Sequence, residues 1–445
     1  MKTKENGRLK MSEKVSYGIG SCGQGIINSV IAMFITSYYT DTAGIAVAAV
    51  GTMMLVSRVF DGISDIAFGG IVEKTRTRWG KARPWILWII PFVVISCWMV
   101  MSVPLGWSDG AKLVYAYASY IFLNVFIVTA YTIAHNSLLA RITLNQKDRM
   151  SAVVIGGVLQ TIIVIVGMVL VQFMTSVTSW SVTALMLGIL IGVMLLIEFL
   201  GTKEHVGENE FGESKIEPVP LKESIHAVLK NKYFIIIALM QFFALLINTI
   251  SSTAQVYYCK YVLGQPGMIT MLSAAASVLG MFGMFFMPAI SNKWNKKVLL
   301  TVGAILMTVG YLLTGAMGTN VLILMIGCAL RGVGIAWLMQ GIAAFSADVI
   351  DYGEWKTGIR TEGLINSAGS VGVKLGVGLG GAIVTWILAA GGYIGTATVQ
   401  STSAIFAIKF SFGYLGAIFS AILIVICLLM DVEKYNKEIH EAIEK

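Results

Sequence analysis

Long apolar runs, separated by short polar breaks, dominate the chain. They fall at about residues 17–40, 46–72, 85–104, 112–139, 151–176, 180–200, 233–259, 268–290, 298–318, 321–347, 363–391 and 404–430. Each supplies close to the ~20 apolar residues a helix needs to cross about 30 Å of hydrocarbon. The runs are too continuous for the alternating strands of a membrane barrel, and a helix pairs its backbone groups within one segment, as lipid demands. The pattern predicts an all-α membrane protein with twelve transmembrane helices in two six-helix bundles, 17–200 and 233–430. Polar segments 1–16 and 431–445 flank them, and 201–232 links them. That linker carries six glutamates, five lysines, Pro218 and Pro220, and its stretch Leu221 to Lys230 can form a short amphipathic surface helix. Two bundles in one chain suggest a parallel repeat about an axis normal to the membrane. A faint echo supports it: the breaks at 69–83 and 288–297 are both short and basic, and each has a Trp followed by Gly or Asn and a Lys.

Composition agrees with the pattern. Of 445 residues 56% are hydrophobic and 13% charged, against roughly a quarter charged in soluble domains. Soluble enzymes, nucleic-acid binders and disordered scaffolds are excluded. The net charge of +8 reflects orientation rather than a nucleic-acid partner. Of 32 Lys and Arg, 26 lie in the terminal segments and in the breaks on the same side, only Lys112 and Lys260 lie in the opposite breaks, and Arg58, Arg331, Lys374 and Lys409 lie within runs. The positive-inside rule then places both termini in the cytoplasm of a multi-pass cell (plasma or inner) membrane protein. The polar start leads into a run too long for a signal peptide, so no cleavable leader is expected. Five scattered cysteines without a CxxC read as small buried hydrophobes, and four scattered histidines offer no metal-ligand spacing. No cofactor, nucleic acid or obligate protein partner is expected. The lipid bilayer is the surrounding partner.

Ionisable groups inside a membrane helix cost from about 2.5 kcal/mol upward and mark candidate sites. The second run holds Arg58, Asp61 and Asp65, at i, i+3 and i+7 on one helical stripe. Two carboxylates a turn apart can cage a small hard cation, or one can hold a proton; the alternative is a structural Arg–Asp pair. The fourth run carries Asn124, Tyr131, Thr132, His135 and Asn136, able to hydrogen-bond a hydroxylated solute or to glue helices together. Arg331, Trp337 and Gln340 lie in the tenth run. Lys374 in the eleventh calls for a cavity or a carboxylate partner, with Asp61 and Asp65 the candidates. Lys409 can snorkel to the interface.

At these residues the sequence resembles the glycoside–pentoside–hexuronide:cation symporters of the major facilitator superfamily. The likeness rests on Arg58-Val-Phe-Asp61-Gly-Ile-Ser-Asp65 with Thr77-Arg-Trp-Gly-Lys-Ala-Arg-Pro-Trp85, on Ala347-Asp-Val-Ile-Asp351-Tyr-Gly-Glu354-Trp-Lys-Thr-Gly-Ile-Arg360-Thr-Glu362-Gly, and on Tyr17-Gly-Ile-Gly20 with Tyr38-Tyr-Thr-Asp41. It covers essentially the whole chain. The resemblance implies the superfamily fold, and a Na⁺, Li⁺ or H⁺ site at Asp61, Asp65, Ser64 and Thr132, where the two aspartates would ligate Na⁺ in a sodium-coupled protein. It also implies a coupling lysine at Lys374 and a sugar-lining aromatic at Trp337. Gly25 and His135 stand where the melibiose permease carries sugar-binding aspartates, and Asn136-Ser-Leu replaces an Ile-Pro-aromatic run. This moves the expectation away from galactosides, toward hexuronides or pentosides.

The expected function is import of a glycoside with a coupled Na⁺ or H⁺ by alternating access. Asp61, Asp65, Ser64 and Thr132 would bind the cation, and Lys374 and Arg58 would couple it. Trp337, His135, Tyr131, Asn124, Asn136 and Gln340 would hold the sugar. Arg78, Lys81 and Arg83 would pair with Asp351 and Glu354 in a cytoplasmic gate. A cation-independent exchanger or facilitator of the same fold is the alternative. A membrane enzyme would need a nucleophile–base or metal constellation that the scattered histidines do not supply, and a sensor would need more than the 15 residues after Met430.

Overall fold

The computed structural model describes residues 9–205, 231–291, 295–316, 319–357, 362–397, 399–435 and 438. Regular structure among them is helical, apart from an isolated bridge between Thr77 and Gly80. In chain order the helices are α1 (Met11–Thr42), α2 (Val47–Lys74), α3 (Arg83–Val100), α4 (Asp109–Ile142), α5 (Gln146–Val177) and α6 (Trp180–Gly201). Then follow α7 (Lys232–Val262), α8 (Met268–Ser291), α9 (Lys296–Ala316), α10 (Val321–Thr357), α11 (Glu362–Ala390) and α12, which runs from Thr402–Lys409 through Phe410–Tyr414 to Leu415–Leu428. Ten are long and apolar enough to cross a membrane. α2 joins them as two segments, Val47–Gly62 and Ala67–Lys74, bent by 42°, and the apolar part of α8, Met268–Met284, is shorter.

Two helices exceed the runs that predicted them. α1 starts at Met11 instead of residue 17. α10 continues from residue 347 to Thr357, so Asp348, Asp351 and Glu354 stand on a helix and not in a loop. No proline follows residue 347 in this stretch, and Val349, Ile350 and Tyr352 are buried in the core of their unit, which carries the helix onward past Gly353. The expected surface helix Leu221 to Lys230, most of the 201–232 linker, residues 1–8, Trp294 of the echo and most of the terminal tail lie outside the described residues.

The chain divides into two compact units, one built on α1–α6 and the other on α7–α12. In the first, α1 packs on α5 and α6, and α3 packs on α6. In the second, Tyr233, Met240, Leu300, Met307, Leu338 and Phe345 anchor a core shared by α7, α9, α10 and α12. A side chain at Gly332 of α10 would collide with the Ala276 carbonyl of α8, so glycine fixes how closely those helices approach.

Both units end their first helix in the same way. α1 widens into a π turn over Tyr38–Thr42, and α7 does so over Tyr258–Val262. The amides of Ala43 and Ile45 donate to the carbonyls of Tyr38 and Tyr39, each at 2.9 Å. Those of Leu263 and Gln265 donate to Tyr258 and Cys259, at 3.1 and 2.9 Å. Gly44 (φ 72°) and Gly264 (φ 64°) then turn the chain through the left-handed region that favours glycine.

Each unit also ties the start of its third helix to the end of its last. The Glu204 carboxylate, beyond α6, accepts from the amides of Lys81, Ala82 and Arg83 at 3.1, 2.8 and 3.0 Å, satisfying donors at the N-terminus of α3. In the second unit Lys297, in the first turn of α9, donates to Asp431 beyond α12, and Lys434 adds a contact at 3.2 Å.

Candidate functional site

The bend in α2 lies between Gly62 and Ala67, beside the carboxylates. Asp61 is buried, and α4 meets it there. Its Oδ1 accepts from the Thr129 hydroxyl at 2.9 Å, and its Oδ2 lies 3.1 Å from Nη1 of Arg58, one turn earlier. Ser64 Oγ sits 3.0 Å from the Asp61 carbonyl and 3.1 Å from Thr129 Oγ1. The i, i+3 spacing is what brings Arg58 onto Asp61. Asp65, a turn further on, is half-buried. Arg58, Asp61 and Ser64 therefore form one cluster with α4, and its α4 hydroxyl belongs to Thr129, a residue the sequence reading passed over in favour of Thr132.

This arrangement is both an ion pair and an oxygen cluster. Carboxylate, hydroxyl and carbonyl oxygens together suit a hard monovalent cation. Arg58 competes for one carboxylate oxygen, so an entering cation must share Asp61 with the guanidinium or displace it. Among the described residues no group of three or more His, Cys, Asp or Glu side chains is placed to hold a metal ion. The described oxygens beside the Asp61 carboxylate are the hydroxyls of Ser64 and Thr129 and the Asp61 carbonyl.

The other expected α4 residues split onto different faces. A helix turns about 100° per residue, so Tyr131 and His135 share one stripe while Thr132 and Asn136 share another. The π turn over Phe122–Val128 breaks the regular period between Asn124 and the rest. Asn124 is buried, and its Nδ2 donates to the carbonyl of Tyr120 on its own helix at 3.1 Å. Asn136 is exposed. Tyr131 and His135 are fully buried against α1 and α6. The Tyr131 hydroxyl donates to the Gly20 carbonyl, His135 Nδ1 lies 2.6 Å from Glu198 Oε1, and His135 Nε2 lies 3.0 Å from Ser21 Oγ. His135 and Tyr131 thus make their described polar contacts inside the first bundle, to α1 and α6. Glu198 went unnoticed in the sequence because it lies close to the end of its run and reads as an interface charge. The rule that flagged Asp61 applies to it equally.

In the second unit Trp337 is half-buried, and its ring N–H donates to the Gly283 carbonyl on α8 at 2.9 Å, while Gln340 is exposed. Lys374, Asp351 and Glu354 are half-buried on α11 and α10. Arg331 is buried between the rings of Tyr311 and Phe412, at 4.7 and 4.8 Å. Of the expected gate cations, Arg83 donates to the Phe199 carbonyl at 2.7 Å and lies over the Phe199 ring. Arg78 lies over Trp79, and Lys81 gives its amide to Glu204.

The comparisons with known proteins agree with this architecture. The family model for MFS/sugar transport proteins matches residues 16–434. The chain is 30% identical to the isoprimeverose transporter of Lactiplantibacillus pentosus, over 98% of this chain and 91% of that one. It is also 30% identical to the glucuronide carrier protein homolog of Escherichia coli (strain K12), over 91% and 89%. Among solved structures it resembles the nucleoside transporter NupG with a TM-score of 0.70 at 13% identity, covering 95% of this chain and 99% of that one. A bacterial homolog of the human lysosomal transporter Spinster gives 0.68 at 14%, covering 94% and 95%. Apolar helices in this number, the helical fold and a family match over nearly the full length identify the chain as a multi-pass membrane sugar transporter, not an enzyme, belonging to the glycoside–pentoside–hexuronide:cation symporters of the major facilitator superfamily.

Proposed function

We propose that the protein imports a glycoside, of the glucuronide or pentoside class, together with Na⁺ or H⁺ by alternating access, with both termini in the cytoplasm of the cell membrane. The supporting observation is the Asp61 cluster: a buried carboxylate on a bent helix, met by Thr129 and Ser64 and balanced by Arg58. A cation arriving there replaces the guanidinium as the partner of Asp61, so ion entry frees Arg58 and changes how α2 meets α4. Coupling follows if sugar and ion each bind better with the other present, a reciprocal linkage. The names of the two relatives direct the choice of substrate class toward glucuronides and isoprimeverose.

The test is uptake into proteoliposomes of isoprimeverose and of a phenyl glucuronide, each with and without an inward Na⁺ or H⁺ gradient. Accumulation that needs one gradient, and is lost in Asp61→Cys and Asp65→Cys while the protein remains in the membrane, supports the reading. Ion-stimulated uptake that persists unchanged in either variant refutes the site. Counterflow of labelled sugar without gradient-driven accumulation would instead indicate a cation-independent exchanger.

A further inference from the structure

The Tyr17-Gly-Ile-Gly20 motif takes no part in the cation cluster, yet its residues converge on one place. The Tyr17 ring stacks on that of His135 at 4.2 Å, with 11° between their planes. Gly20 leaves room for the Glu198 carboxylate, which a side chain there would strike, and its carbonyl receives the Tyr131 hydroxyl. Gly18 admits the backbone of α5 at Gly156. At the centre a chain of polar atoms runs from Ser21 Oγ to His135 Nε2, at 3.0 Å, and from His135 Nδ1 to Glu198 Oε1, at 2.6 Å. The His135 and Glu198 side chains are 3% and 0% exposed, and Glu198 Oε2 is buried without a hydrogen-bond partner.

Proton counting shows what this chain can do. With one extra proton, imidazolium donates from Nδ1 to the Glu198 carboxylate and from Nε2 to Ser21, and the pair is neutral overall. With that proton removed, Nδ1–H still donates to Glu198, and the Ser21 hydroxyl rotates to donate to Nε2. Both hydrogen bonds survive, and the pair carries one negative charge. We propose that Ser21, His135 and Glu198 form a proton-binding site of the first unit, separate from the Asp61 cluster, in which the Ser21 hydroxyl reverses its direction when the proton enters or leaves. The free oxygen of Glu198 makes the proton-free state the one with the uncompensated buried charge, so gain of the proton fastens α1 to α4 and α6.

The described contacts of the surrounding groups do not supply that charge. α1 faces the pair with Tyr17 and with Cys22, which hydrogen-bonds its own helix, and α4 faces it with Tyr131. Arg83 of α3 is spent on the Phe199 carbonyl and ring. α5 keeps its ionisable residues in its first turn, where Asp148 pairs with Lys14 at 2.7 Å, and across α4 Arg58 pairs with Asp61. Glu198 lies one turn from the end of α6, which sets the side of the membrane whose water exchanges the proton.

The site needs neither the sugar nor Na⁺, so it is tested without them. The purified full chain in lipid nanodiscs, free of sugar and Na⁺, is followed by infrared difference spectroscopy between about pH 5 and about pH 8, the range in which imidazoles commonly titrate. The expected result is a titrating imidazole signal with an accompanying carboxyl change. Because His205, His226 and His440 remain, the part assigned to this site is the part lost in His135→Gln; that part loses its carboxyl component in Glu198→Gln and is retained in Asp61→Asn. A wild-type spectrum matching that of His135→Gln, or a signal that disappears only in Asp61→Asn, overturns the proposal. Should neither buried variant accumulate, Ser21→Ala decides. Loss of the hydroxyl removes a charge-assisted bond from the imidazolium and a weaker neutral bond from the imidazole, so the midpoint of the signal falls. An unchanged midpoint overturns the proposal.

Discussion

α1 and α7 finish with the same widened turn, the same two backbone hydrogen bonds and the same left-handed glycine, and each unit fastens its third helix to the residues that follow its sixth. Their buried charges have little in common. Among the described residues the first unit buries three carboxylates, Asp61 beside Arg58, Glu198 beside His135 and Asp148 beside Lys14. The second buries Arg331, whose described contacts are the faces of Tyr311 and Phe412 and the Cys328 sulfur. Ring quadrupoles can stabilise a buried cation without a carboxylate, by up to about 2 kcal/mol when desolvated. Backbone punctuation and ionisable chemistry are thus separable: the same helical frame holds buried carboxylates in one half and a ring-flanked arginine in the other.

The largest effect that would sharpen this contrast is on coupling. Asp61→Asn should reduce gradient-driven sugar uptake to the level without a gradient, while Arg331→Leu leaves the ratio of the two rates unchanged at whatever expression it reaches. Equal loss of coupling in both would erase the distinction. Next come the helix ties. Glu204→Ala orphans three amides and should lower stability by about 1–3 kcal/mol, whereas Asp431→Ala breaks a partly exposed ion pair worth at most about 1 kcal/mol. Thermal unfolding of the two variants in the same detergent gives the comparison. Smaller again is Thr129→Val, which removes one hydrogen bond to Asp61 and should shift the activating ion concentration by up to about tenfold, with Thr132→Val nearly silent; the reverse order would return the hydroxyl ligand to Thr132. Last, Gly44→Ala and Gly264→Ala should each cost about 1 kcal/mol, and cost it equally, because both need the left-handed region. A large inequality in melting shift would break the equivalence of the two helix ends.

Most of the helical plan was readable from the sequence, because runs of apolar residues leave lipid only one economical backbone. The extension of α10 was not, since its last turns are held by Val349, Ile350 and Tyr352 packing into a core that hydropathy cannot see. Asp61 stood out because a carboxylate inside an apolar run has few structural excuses. The facing of α4 was harder. Five polar residues within thirteen positions look like one surface until helical rotation and the π turn separate them, sending His135 toward α6 and Thr129 toward α2. Glu198 obeyed the same charge rule as Asp61 and was hidden only by its nearness to a helix end.

The matched helix ends also act as a ruler. Tyr38 and Tyr258, like Gly44 and Gly264, are 220 positions apart. α1 carries a further π turn over Ile26–Ile31 that α7 lacks, so before it the offset becomes 221 and sets Tyr17 against Ala238, Gly20 against Gln241 and Ser21 against Phe242. The second copy of the scaffold therefore offers a methyl group where the first stacks a ring, and an amide side chain where the first opens a gap. Grafting tyrosine, glycine and serine at those three positions would show whether the twin frame can be taught its sibling's chemistry.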